Sequence, residues 1–114
     1  MRGSNVKLNL TIDFGVDKKQ YDTPAKQREF NKGVFRNAVD SAFPNGLSRE
    51  QLCRFRDISE KIDEAEGVEI SLNPYEFDFF KEAFEKAKWK PVSYSLICQF
   101  YKIIEDAGKP KSNR

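Results

Sequence analysis

The chain has 114 residues, 20 Lys and Arg against 18 Asp and Glu, and ten Phe with one Trp, so a single modest core is expected and a disordered polymer is excluded. It contains no histidine, which removes the commonest general base and the commonest neutral metal ligand: no Ser-His or Cys-His nucleophile pair can form within the chain, and two cysteines cannot complete a structural zinc set. No apolar run reaches the 18 or more residues that a helical membrane span needs.

The start, "MRGSNVKLNL", lacks the apolar segment of a signal peptide, so a cytoplasmic location is expected, and residues 1–5 read as a leader or tag-like segment. Cys53 and Cys98 are then expected to be free thiols. "VKLNLTIDF", residues 6–14, alternates apolar and polar positions, the period of a half-buried strand. "GVDKKQYD" is a polar connection in which Val16 and Tyr21 offer a short return strand. Thr23 as N-cap and Pro24 at the first helical position open a helix that runs to the turn "PNG" at 44–46. Ser48 and Gln51 are spaced as a capping box for a second helix ending by Gly67. Its apolar positions Leu52, Phe55, Ile58, Ile62 and Ala65 fall, with Ser59, within one arc, which predicts one buried side.

"VEISL", residues 68–72, repeats the strand alternation, and Asn73, Pro74 and Glu76 cap a third helix over about 74–89. Its aromatic and small positions, from Tyr75 and Phe77 to Phe84 and Ala87, spread over a much wider arc than the second helix shows. A fourth helix follows Pro91 and Ser93 and ends at Gly108, and residues 109–114 form a polar tail. The expected architecture is therefore one α+β domain over 6–108, a two- or three-stranded sheet packed against about four helices in the order β-α-α-β-α-α. Within that order "LCRFRDI" at 52–58 and "ICQFYKI" at 97–103 echo each other on the second helix of each half, which makes an internal duplication plausible.

Charge is blocked along the chain. Residues 18–36 hold six bases against two acids, residues 57–85 ten acids against two bases, and residues from 86 onward seven bases against two acids. Such blocks mark either a partner surface or helix faces that pair with one another across the fold. Asp57, Glu60 and Glu64 lie on one helix side, where they would bind Mg²⁺ in an enzyme, but Arg56 and Lys61 stand at spacings for ordinary pairs with Glu60 and Asp57. With no glycine-rich phosphate loop, nucleophile elbow or dinucleotide fingerprint, the expectation is a protein that is not an enzyme and needs no cofactor or metal.

The function that best suits this sequence is a non-enzymatic protein-protein interaction or assembly module, an accessory protein of bacterial or viral type. It would self-associate or bind a protein partner through Tyr75, Phe79, Trp89, Tyr94 and Tyr101, because aromatic surface beyond what one core absorbs is typical of interface centres. The nine-residue first strand, longer than its five-residue counterpart, offers a second place for a partner. The alternative is a nucleic-acid-binding accessory protein that uses the basic first helix: Lys18, Lys19, Lys26, Arg28, Lys32 and Arg36 would contact phosphates.

Overall fold

Three of the four helices begin where short polar side chains satisfy the free N–H groups of the first turn. Strand β1 (Val6–Asn9) is followed by α1 (Pro24–Ala42), whose Thr23 hydroxyl accepts from the amide of Lys26 at 3.2 Å. In α2 (Arg49–Glu64) the Ser48 hydroxyl accepts from the Gln51 amide at 3.2 Å while the Gln51 side chain accepts from the Ser48 amide at 2.9 Å. Strand β2 (Glu69–Leu72) leads into α3 (Pro74–Lys86), where Asn73 and Glu76 exchange the same two bonds at 2.8 and 3.0 Å. A single 3₁₀ turn at Pro91–Ser93 leads into α4 (Tyr94–Gly108). This computed structural model describes residues 5–15 and 23–108. The return strand expected at Val16 and Tyr21, the bases Lys18 and Lys19, and most of the leader and the tail lie outside the described residues.

The domain is α+β, with a small antiparallel sheet on four helices in the expected order. Val6 pairs with Leu72 and Leu8 with Ile70, so the apolar residues of both strands share one face against the helices, while Lys7, Ser71, Asn9 and Glu69 share the other. Pairing ends soon after Asn9, with the Leu10 amide on the Val68 carbonyl at 3.0 Å, yet the alternation continues: Leu10 and Ile12 are buried and Phe14 is half-buried. From there on, side chains supply partners for the backbone. The Ile12 amide donates to Gln27 at 3.2 Å, Asn31 donates to the Leu10 carbonyl at 3.0 Å, and the amide group of Gln99 both accepts from and donates to the backbone of Asp13, at 2.8 and 3.0 Å. The extra length of the first strand is thus held between α1 and α4 instead of standing free for a partner, because its buried backbone groups must be satisfied somewhere.

Helix α3 is the centre of the domain. Phe77, Phe79, Phe80, Ala83 and Phe84 are all buried, facing α1, α2, β2 and α4-derived side chains. Rings run in contact from Phe55 through Phe35, Phe80 and Phe84 to Trp89 and Phe100, with centroids 4.9–5.9 Å apart. The helix ends at Lys86, earlier than expected: Ala87 is extended, and Trp89 lies on Phe84 instead of continuing the helix. Of the two echoing segments, Phe100 is buried and its counterpart Phe55 half-buried, while Ile58 is buried and Ile103 half-buried, so the two stretches sit in different surroundings. Both cysteines are free and exposed.

Candidate functional site

Helix α2 meets the core along only part of its length. Of its expected apolar face, Ile58 and Ile62 are buried, Phe55 is half-buried, and Leu52 is 53% exposed. The helical wheel assigned Leu52 to the core because it assumes a neighbour along the whole helix. Instead the C-terminal half of α2 is held against α1, by Lys32 to Asp63 at 3.2 Å and by Arg28 to the Glu66 carbonyl at 3.1 Å just beyond the helix. At the other end the helices are joined by the short turn containing Gly46, whose φ of +100° strains any residue with a side chain.

Between the N-terminal part of α2 and the C-terminal part of α1 lies a groove of about 500 Å³. Val39, Phe43, Leu47 and Phe55 supply its apolar lining, with Leu52 beside them. The lining is fixed from behind: Phe55 stacks on Phe35 at 5.5 Å and Phe43 on Phe79 at 5.7 Å. Lys32, Arg36 and Asp40 of α1 are its charged members. Lys32 is engaged by Asp63, whereas Arg36 and Asp40 make no ion pair among the described residues. A half-exposed leucine leaves about 1 kcal/mol of burial still to be gained, and it has no polar tip that would suit it to water.

The residues nominated from the sequence do not assemble into one patch. Phe79 is 4% exposed and packs against Phe35 and Phe43, so it belongs to the core and cannot touch a partner of the folded chain. Trp89 donates to the Tyr101 hydroxyl at 3.3 Å, and that hydroxyl donates to the Phe84 carbonyl, which ties the end of α3 to α4. Tyr75 is exposed beneath the Arg54 guanidinium, 5.5 Å from the ring centre, and Tyr94 is exposed at the start of α4. Of the basic set, Arg28 and Lys32 are turned to α2, Lys26 lies in the first turn of α1, and Arg36 borders the groove. Missing from that nomination were Leu47 and Leu52, although Leu47 before the Ser48 cap and Leu52 at the fourth helical position stand at the spacing of a hydrophobic staple.

A larger cavity of about 770 Å³ lies between α3 and α4, lined by Phe84, Tyr101 and Ile104 with Lys81, Glu85 and Glu105. Its apolar members Phe84 and Ile104 are already almost fully covered, so an occupant would gain little apolar burial from them. Of the acids considered as Mg²⁺ ligands, Asp57 pairs with Arg56 at 3.0 Å, while Lys61 reaches the buried Glu76 at 2.5 Å. The expected pairs of Arg56 with Glu60 and Asp57 with Lys61 are thus replaced, because a neighbouring acid and a core-facing acid lie closer. The hydrogen bond and charge of Asp57 raise the pKa of Arg56 above its ordinary value. Among the described residues no group of three or more His, Cys, Asp or Glu is placed to hold a metal, and no helix is long and apolar enough to cross a membrane. Comparison with protein-family models, with curated proteins and with solved structures gives no match.

Proposed function

We propose that the protein is a non-enzymatic interaction module whose docking surface is the groove between α1 and α2. The observation that carries this reading is Leu52, a large aliphatic side chain more than half exposed beside an apolar lining that is itself braced by the core. An amphipathic segment with apolar anchors one helical turn apart would fill such a groove, as helix-in-groove recognition does elsewhere. The exposed thiols of Cys53 and Cys98 suit a reducing, cytoplasmic setting. Nucleic-acid binding through α1 has less support, because Arg28 and Lys32 are engaged within the chain and fewer bases remain to meet phosphates.

The test is selection from a random peptide library displayed on phage, run in parallel on the wild-type chain and on Leu52→Asp. Enrichment of peptides with apolar residues at helical spacing on the wild type, and their loss on the variant, is the expected result. Equal enrichment on both proteins, or none on a wild type diluted until it is monomeric, overturns the groove as the docking surface.

A further inference from the structure

We infer that the occupant of this groove is a second copy of the same chain, docked about a two-fold axis; the inference rests on the docking reading above. A two-fold interface must be self-complementary, each patch offering both what it needs and what its partner needs. The α1–α2 groove meets that condition twice. It has an exposed apolar knob, Leu52, next to an apolar lining from Val39, Phe43 and Phe55, so two copies exchange a leucine each way. It also carries Arg36 and Asp40, both exposed, one turn apart on α1 and unpaired among the described residues.

The two charges do not close on each other, in keeping with the order base-then-acid along a helix, which is the weaker arrangement for an intrahelical pair. Across a two-fold axis with the α1 helices antiparallel, Arg36 of one copy faces Asp40 of the other, and the second pair forms by symmetry. A partner of uniform charge would leave one of the two opposed. The extension of β1 and the end of α4 compete less well: backbone groups beyond Asn9 are held by Gln27, Asn31 and Gln99, and the Tyr101 hydroxyl is engaged by Phe84.

The symmetry makes an unusual prediction for sedimentation velocity over a dilution series. Wild type is expected to be a reversible dimer. Arg36→Asp alone and Asp40→Arg alone each place like charges opposite one another twice, and each should weaken the dimer about tenfold. An equimolar mixture of the two single variants restores both pairs and should recover the wild-type dimer. A wild type that stays monomeric at every concentration overturns the inference, as does a mixture no stronger than its components. Leu52→Asp separates the two claims: a monomeric wild type that still selects Leu52-dependent peptides leaves the docking surface standing and removes the second copy, whereas a dimer that survives Leu52→Asp, with peptides indifferent to it, removes both.

Discussion

Helix α3 is rich in large apolar residues while the first half of α2 carries only Leu52 and Phe55, and the two regions meet opposite fates. The wide arc of α3 suggested surplus surface, yet Phe77, Phe79, Phe80 and Phe84 are buried because α1, α2 and the sheet surround that helix. The narrower face of α2 suggested an ordinary buried side, yet Leu52 is left out because the core stops at Ile58 and Phe55. The width of an apolar arc reports how many neighbours a helix needs. Only the arrangement of the neighbours decides which residue lacks one.

The sharpest way to break this comparison is Phe79→Asp. An unpaired carboxylate in place of a ring packed on Phe35 and Phe43 should cost more than about 4 kcal/mol, enough to unfold a small domain, as urea denaturation followed by circular dichroism would show. Were Phe79 instead a contact residue on the surface, the variant would remain folded. Lys61→Met comes next: Glu76 is 5% exposed and would keep only its bond from the Asn73 amide, so a loss of about 2 kcal/mol is expected in the same measurement. Asn73→Ala removes the cap of α3 and should cost about 1 kcal/mol. Leu52→Asp is expected to change stability by no more than about 0.5 kcal/mol while abolishing binding in the groove. A large destabilisation there would mean that α2 is covered along its whole length after all.

The element order was legible because its signals are local. Thr23, Ser48 and Asn73 with their companions mark helix starts within three or four residues, and the capping bonds form where that spacing requires. Strand β1 was legible as an alternation but not as a length: burial on one side imposes the period of two over 6–14, whether the backbone bonds come from a strand or from Gln27, Asn31 and Gln99, and those three side chains leave no periodic trace. The candidate groove was hidden for the same reason. Its residues come from α1, the turn and α2, and the exposure of Leu52 depends on where the core ends. The staple spacing of Leu47 and Leu52 marked the corner, and the opposite charges at Arg36 and Asp40 were visible four residues apart in the sequence, but that neither makes an ion pair among the described residues is a property of the folded chain.

The central claim is that the uncovered half of α2, and not the aromatic centre of α3, is where this protein binds. Amide NMR of the wild-type chain, titrated with a peptide enriched on it by the phage selection, tests this most directly. The account predicts shift changes concentrated on the groove at Arg36, Val39, Phe43, Leu47, Leu52 and Phe55. Changes centred on Trp89, Tyr94 and Tyr101, with the groove residues unmoved, would contradict it.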